Sequence, residues 1–211
     1  QANRAEGPYR YEPELAGQRA LGNLCLAYLV TLEDEATVQL ALAQFAKADN
    51  MTDQLAAFAA LAHSARPERQ QVIADFYRQW QTDPLVLDKW LAVQATAPLP
   101  ETLGEVQGLM AHPAFQLKNP NKVRALVGSF AAGNPLCFHE VSGRGYDFLA
   151  EQILALDPLN PQIAARLAAR LGRGARYDET RRGLMRVQLE RIGASPSLSR
   201  DVYEVVSKSL G

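Results

Sequence analysis

Five times along the chain an aspartate or asparagine stands directly before a proline, and this pattern constrains the fold more than any other feature of the sequence. The pairs are Asp83-Pro84, Asn119-Pro120, Asn134-Pro135, Asp157-Pro158 and Asn160-Pro161. The side-chain oxygen of the first residue can accept hydrogen bonds from the unpaired amides at a helix start. Proline is tolerated in the first helical turn because its missing amide donor would find no partner there. Each pair therefore predicts that a helix begins at that point.

Between such breaks, apolar side chains recur at three- and four-residue spacing, which is typical of helices. The predicted helices cover residues 15–32, 36–48, 52–63, 67–79, 84–96, 101–110, 121–132, 146–156, 161–171, 177–192 and 199–210. The sequence contains no Asn-Gly or Asp-Gly hairpin dipeptide and no sustained apolar/polar alternation. Short connections favour antiparallel neighbours. We therefore expect an all-α fold, an irregular α-solenoid or superhelical array of about eleven or twelve short antiparallel helices.

The composition is that of an ordinary globular protein. The chain has 211 residues, of which 47% are hydrophobic and 21% are charged. No run of about 18 apolar residues is present, so no membrane span is expected, and no apolar signal core is visible near the start. Cys25 and Cys137 both lie in apolar sequence, so we expect two reduced, buried thiols in a cytoplasmic protein.

The residues of this segment predict no catalytic centre and no metal site. The histidines His63, His112 and His139 are isolated from one another, whereas a zinc hydrolase needs closely spaced ligands. His139-Glu140 begins like HExxH, but the fifth position is Gly143. We therefore expect no cofactor within this segment.

Two helices carry arginines that could contact an anion. In the helix after Asn119, the apolar face is formed by Val123, Leu126, Val127 and Phe130. Arg124 lies about 100° around the helix from Val123 and shares its stripe with the small residues Gly128 and Ala131. Such small neighbours leave room for the guanidinium to reach across the surface. An arginine on the polar side of a helix is, however, most often simply solvated.

The second helix repeats this arrangement. Gln162, Arg166 and Arg170 occupy successive turns of a polar stripe. Residues 161–192 hold eight arginines against three acidic residues, an excess of five positive charges in a chain whose net charge is −1. A basic surface of this kind can bind phosphate, a carboxylate or an acidic partner, or can be a solvated helical face.

Three stretches resemble the C-terminal helical domain of aminopeptidase N, the bacterial-type zinc aminopeptidase family. They are FYRQWQTDPLVLDKWLAVQAT (76–96), the long region that begins HPAFQLKNPNKVRALVGSF and ends NPQIAARL (112–167), and the ending RYDETRRGLMRVQLERI with LSRDVYEVVSKSL. The likeness extends over nearly the entire chain. It implies that residues 11–211 are the C-terminal helical domain, that residues 1–10 are a disordered or linker start, and that the catalytic domain lies upstream.

The resemblance also implies what the domain does. In that family the zinc ligands of HExxH and the exopeptidase motif GAMEN belong to the upstream domain. Neither motif occurs here, so this segment alone should be inactive, and zinc belongs to the parent enzyme. The helical domain is implied to cap the active-site chamber and to contact the distal end of short peptide substrates.

Three residues of this chain match the family's substrate-channel positions. Arg124 falls on the arginine of an NPN-R-x-R pattern, with Lys122 in place of the first basic residue. Gln162 and Arg166 fall on an NPQ-x-x-x-R pattern. The resemblance implies that these three side chains face the chamber, where arginines suit a peptide carboxylate. Asp147 departs from the pattern, because an apolar residue is expected within GYxF.

Two other functions are compatible with the residues alone. The chain could be a free-standing α-solenoid scaffold that binds a partner protein in its concave face. The basic region 161–192 could bind nucleic acid, although a pI near 6.4 argues against this. The leading expectation involves neither nucleic acid nor membrane as a partner.

Overall fold

The computed structural model describes residues 9–211 of the chain, and every regular element in that range is helical. The predicted all-α class is thereby confirmed, and the arrangement agrees with an α-solenoid array. The predicted linker start at residues 1–10 falls mostly on residues 1–8, which lie outside the described residues. The contacts divide the chain into two compact units, one extending to Asp83 and the other running from Pro84 to Gly211.

Within residues 9–83 the first unit contains four helices, and each packs against its neighbours in sequence. They are α1 (Pro13–Val30), α2 (Glu35–Lys47), α3 (Met51–Ala62) and α4 (Glu68–Trp80). Phe58 of α3 stacks on Phe76 of α4 with 4.3 Å between ring centroids. Phe76 is fully buried. Trp80 is half-buried at the rim, where its indole N–H donates to Gln54 Oε1 at 3.0 Å.

The second unit holds the remaining helices. They are α5 (Pro84–Ala95), α6 (Thr102–Leu109), α7 (Pro120–Val123 continued by Arg124–Gly128 and Ser129–Gly133), α8 (Pro135–Phe138), α9 (Arg144–Leu156), α10 (Pro161–Leu171), α11 (Glu179–Gly193) and α12 (Arg200–Leu210). A short 3₁₀ turn spans Gly174–Arg176. Trp90 is buried in α5. No helix within residues 9–211 is both long and apolar enough to cross a membrane.

The Asx-Pro prediction is confirmed at four sites and wrong at one. Helices begin at Pro84, Pro120, Pro135 and Pro161. Asp157 instead follows the last residue of α9, and Pro158 lies in a turn. The Asp157 carboxylate is buried, and it accepts hydrogen bonds from the backbone N–H of Ser199 at 2.8 Å and from its hydroxyl at 2.5 Å. Its oxygens are therefore committed to the start of α12 and are not used to cap a helix of its own.

Asn134 fixes the junction between α7, α8 and the segment after α5. Its side-chain amide donates to the carbonyl oxygens of Ala95 at 3.1 Å and Ala97 at 2.8 Å. Its Oδ1 accepts from the Cys137 backbone N–H at 3.1 Å, which caps α8. The residue is only 2% exposed. One buried side chain thus satisfies three backbone groups that water cannot reach.

The helix that carries Arg124 contains one widened turn. Residues Arg124–Gly128 are π-helical, and the Ser129 hydroxyl donates to the Arg124 carbonyl at 3.3 Å. The predicted apolar face is buried, as expected. Ala131 is also buried, so it does not share the solvent-facing stripe of Arg124, and that part of the prediction is wrong. The reason is that a π-turn holds an additional residue, which changes the angular relation between the two ends of the helix.

A histidine between two tyrosines connects α8, α9 and the approach to α11. His139 Nδ1 is 2.9 Å from the Tyr146 hydroxyl, and its Nε2 is 2.7 Å from the Tyr177 hydroxyl. The carbonyl of His139 accepts from Arg181 Nε at 2.6 Å. Burial, together with the Arg181 charge, lowers the pKa of His139, and burial raises the pKa of Tyr146 to about 12. The imidazole is therefore neutral near pH 7, donating through one nitrogen and accepting through the other.

The loop that follows His139 requires glycine at two places. Gly143 adopts a φ of 76°, a conformation that side-chain-bearing residues rarely adopt. At Gly145 a Cβ atom would lie within 2.9 Å of the Phe138 Cα and closer still to its carbonyl oxygen. This close approach lets α9 begin directly against α8.

The two cysteines differ in exposure. Both are free thiols, but Cys137 is buried whereas Cys25 is exposed. The prediction of two buried thiols is therefore wrong for Cys25. No described residue packs closely enough against that side of α1 to bury the thiol.

Replacement of Asn134 should destabilise the second unit more than replacement of an ordinary cap. Asn134→Ala leaves the buried Ala95 carbonyl and the Cys137 amide without partners, and leaves the Ala97 carbonyl with only its bond from the Thr102 hydroxyl. It should lower the free energy of unfolding by about 2–4 kcal/mol. Asn160→Ala removes only the bond from the Ile163 N–H and should cost about 1 kcal/mol. Chemical denaturation of both variants provides the measurement. Equal losses would show that the carbonyl contacts of Asn134 contribute nothing beyond capping.

Stability should also fall as the pH drops below the ordinary histidine pKa of 6.5, because His139 resists protonation in the folded state. Above that pH the imidazole is neutral in both states. Below it the unfolded chain binds the proton first, so the free energy of unfolding decreases by at most about 1.4 kcal/mol per pH unit for this group until the folded-state pKa is reached.

The measurement is the free energy of unfolding between pH 7.5 and 5.5 for the parent chain and for His139→Gln. The variant should show a shallower pH dependence. His112, whose pKa is also lowered by burial, should account for part of the remaining slope. Identical slopes in the two chains would contradict the assignment.

Candidate functional site

An open groove of about 590 Å³ lies between α5 and α7, inside the second unit. One stripe of α5 and one stripe of α7 line it, and the residues are Leu85, Asp88, Lys89, Ala92, Asn121, Arg124 and Ala125. Each set follows three- and four-residue spacing, so each presents a single helical face to the groove. The groove therefore combines an apolar floor with a few charged groups.

Lys122 is a structural support for this groove and not a ligand-facing cation. Its side chain is 8% exposed, and its Nζ lies 2.8 Å from Asp88 Oδ1. The same ammonium donates to the Pro84 carbonyl at 2.7 Å. Because both partners belong to the first turns of α5, the lysine ties α7 to α5. It also offsets the negative charge that Asp88 would otherwise bring to the groove.

Arg124 lies two residues further along and has the opposite character. It is exposed, and its Nη1 donates to Asn121 Oδ1 at 2.9 Å. Within residues 9–211, no carboxylate forms an ion pair with it. A guanidinium has five N–H donors, so one bond to Asn121 orients the group and leaves donors for a ligand. Lys89, also exposed, adds a second positive charge to the same groove.

Gln162 and Arg166 lie together on α10. They are four residues apart, and both are exposed. Residues one turn apart on a helix are neighbours, about 5–6 Å between Cβ atoms. The opposite side of α10 is buried and includes Ile163, Leu167 and Leu171. The predicted polar stripe of this helix is therefore present.

The three predicted residues do not share one pocket. Arg124 lines the groove between α5 and α7, whereas Gln162 and Arg166 are not among the residues that line it. The two helices are nevertheless neighbours, because α10 contacts the Ser129–Gly133 part of α7. The structure thus offers two cationic positions on adjacent helices, each with a polar side-chain amide beside it.

This arrangement can bind an anion that has an apolar body. A carboxylate accepts two parallel N–H bonds from an arginine fork, and such charge-assisted bonds are short and strong. The floor of Leu85, Ala92 and Ala125 can contact an aliphatic group next to that carboxylate. The C-terminal residue of a short peptide has both features.

The site contains residues that the sequence analysis missed. Asp88 and Lys89 were not predicted to be functional, although Leu85, Asp88, Lys89 and Ala92 fall on one stripe of a predicted helix. This spacing was a signal that could have been used. The role of Lys122 could not be read in the same way, because it depends on partners 34 and 38 residues away.

The basic region of residues 161–192 is partly neutralised. Arg181 pairs with Asp178, Arg186 with Glu190, and Arg191 with Asp147. Asp147 is exposed on α9 and pairs at 2.5 Å, so its departure from the expected apolar residue does not disturb the packing. A region whose arginines pair with carboxylates of the same chain is a weaker candidate for nucleic acid.

No group of three or more histidine, cysteine, aspartate or glutamate side chains that could hold a metal ion occurs among residues 9–211.

Comparisons with known proteins identify the family. All of residues 1–211 match the family described as a domain of unknown function, DUF3458_C, with ARM repeats. Aminopeptidase N of Caulobacter vibrioides is 43% identical over 205 residues, which cover 97% of this chain and 24% of that protein. Aminopeptidase N of Escherichia coli is 40% identical over the same share of each.

A solved structure shows the same fold. The crystal structure of Legionella pneumophila aminopeptidase A in complex with aspartic acid matches with a TM-score of 0.91 at 34% identity, covering 99% of this chain and 25% of that one. The chain spans about a quarter of the length of the relatives it matches. It belongs to the DUF3458_C family of ARM-repeat helical domains and corresponds to the C-terminal region of aminopeptidase N.

Proposed function

We propose that this chain is the non-catalytic C-terminal domain of a zinc aminopeptidase that removes N-terminal amino acids from peptides. In this proposal the domain caps the active-site chamber and contacts the distal end of bound peptides. The observation that carries it is Arg124, an exposed guanidinium without a carboxylate partner among the described residues, positioned by Asn121 in a groove with an apolar floor. The identity of the relatives as aminopeptidases supplies the reaction class.

Catalysis would belong to the part of the enzyme outside this segment. Zinc, when bound there, supplies an activated water for hydrolysis. The residues of this chain would bind the peptide substrate and orient it. A peptide whose C-terminal carboxylate is held by Arg124 or Arg166 has its N-terminal end restricted in position. Binding energy obtained far from the reacting bond can lower the barrier by holding that bond in place.

In this proposal the charged residues of the groove have different roles. Lys122 and Asp88 hold α5 and α7 together, so the groove keeps its width when a peptide binds. Arg124 provides the directed hydrogen bonds, and Lys89 provides an undirected attraction for the same carboxylate. Gln162 and Arg166 offer a second position on α10, which could take the carboxylate of a peptide of different length.

The proposal also includes a partner domain and a cellular compartment. The upstream catalytic domain of the same polypeptide is the main partner of this domain. Two free thiols agree with a reducing compartment, and we place the parent enzyme in the cytoplasm. A free-standing scaffold remains the alternative function, and the second experiment below separates it from the proposal.

The carboxylate contact can be tested in the intact enzyme with Arg124→Ala combined with Arg166→Ala. The double variant should lower kcat/KM for a short free-acid peptide by about 10- to 100-fold, because it removes hydrogen bonds to a charged group. The C-terminally amidated form of that peptide and a single-residue amide substrate should change much less. The comparison of the three substrates is the measurement.

Arg186→Ala is a matched control for the loss of positive charge. Arg186 is 62% exposed and pairs with Glu190 on its own helix, outside the groove. It should leave the ranking of the three substrates unchanged. If the double variant weakens all three substrates equally, Arg124 and Arg166 do not bind the carboxylate.

The native polypeptide should be about four times heavier than the 23.2 kDa of this segment, in line with its relatives. It should also contain about one zinc ion per chain. Intact mass and elemental analysis of the purified native protein provide both values. A free 23.2 kDa chain without metal would instead support the scaffold.

A further inference from the structure

The first helix of the chain is apolar on all sides over most of its length. Residues 20–32 read ALGNLCLAYLVTL, without a single charged side chain. One side of this helix packs into the first unit, where Leu26 and Val30 are buried and α1 contacts α2 and α3. A helix that is apolar all round is normally covered all round. The second side of α1 therefore requires an explanation.

That second side is exposed. Its residues are Leu21, Leu24, Cys25 and Tyr28 on α1 and Leu32 in the turn directly after the helix, and we call them the α1 apolar stripe. At about 100° per residue the four helical residues fall within one band of roughly 100°, opposite Val30. Leu24 is 54% exposed and Tyr28 is 71% exposed. Single exposed apolar residues are common, but a continuous band of four on one helix, extended by Leu32, marks a contact surface.

The outer face of α12 is polar, in contrast to the exposed side of α1. The exposed residues of α12 are mostly polar or charged and include Asp201, Glu204, Ser207 and Lys208, with Tyr203 among them. In stacked helical arrays a terminal element needs a polar outer face, whereas internal elements are apolar on both sides. By this criterion α12 has the surface of a terminal helix and α1 has the surface of an internal one.

The relatives indicate what covers α1. This chain covers about a quarter of their length and matches their C-terminal region. The unmatched three quarters therefore lie on the N-terminal side, the side on which α1 is the first helix. We propose that the α1 apolar stripe packs against the preceding part of the full-length polypeptide, and that the contacting element is a further helix with an apolar face. The inference rests on family membership and not on the role of Arg124.

Cys25 lies midway along the length of the stripe and makes the inference measurable. In the native full-length chain, alkylation of Cys25 by iodoacetamide should be slowed at least about tenfold relative to the denatured chain, because labelling then requires local opening. Cys137, which is buried within this segment, is the internal reference for a protected thiol. Peptide mass spectrometry resolves the two sites.

Each outcome bears on the proposal. Protection of Cys25 in a monomeric full-length chain, independent of protein concentration, supports it. Labelling of Cys25 at nearly the denatured rate overturns it, because the stripe would then be free. Protection that rises with protein concentration in step with dimer formation, seen by light scattering, also overturns it and assigns the stripe to a second copy of the chain.

A pair of tyrosine variants gives an independent measurement. Tyr28→Glu places a charge on the stripe, and Tyr203→Glu places the same charge on α12, where Tyr203 is 59% exposed. In the full-length chain Tyr28→Glu should lower Tm by several degrees, whereas Tyr203→Glu should lower it little. Equal effects would overturn the proposal. Neither variant touches the groove, so the result is independent of the peptide experiment.

Discussion

The helices described within residues 9–211 are 4 to 18 residues long, and at such lengths isolated helices are at best marginally stable in water. Each therefore depends on burying one face against a neighbour. The dependence is visible in the first unit, where α1, α2 and α3 contact one another. It is visible again in the second unit, where Asn134 supplies the hydrogen bonds that the junction after α5 cannot obtain from water. Burial of neighbouring faces is the constraint from which the other features follow.

Because that constraint is mostly local, much of the fold could be predicted from the sequence. Helix starts depend on residues within one turn, so Asn119 and Asn160 indicate their helices directly. The prediction failed where a side chain has a distant partner. The Asp157 carboxylate binds Ser199, 42 residues away, and no local pattern reveals that bond. The exposure of Cys25 could not be predicted either. Local sequence shows that a helix is apolar, but not whether both of its sides are covered by other parts of the protein.

The candidate site, like the fold, could be predicted only where it depends on local sequence. Periodicity placed Arg124 beside an apolar face, and the resemblance assigned it a ligand. Both singled out Arg124, but neither predicted that Lys122, which lies two residues away and carries the same charge, is buried. The difference is tertiary, because Asp88 and the Pro84 carbonyl withdraw the lysine from solvent. The separation of Arg124 from Gln162 and Arg166 is tertiary as well, since it depends on how α7 and α10 are placed.

The π-turn at Arg124–Gly128 has a consequence for how this site can vary. A widened turn accommodates one residue more than a regular helix needs, and so it sets the phase between the two halves of α7. Regular α-helical winding of the same residues would rotate Arg124 by about 100° relative to the buried Phe130. Removal of one residue from the turn would instead let the helix wind regularly while Arg124 kept nearly its present direction. The direction of the guanidinium therefore depends on the number of residues in the turn as well as on their identity, and a substitution that closed the π-turn could redirect Arg124 while Arg124 itself stayed the same.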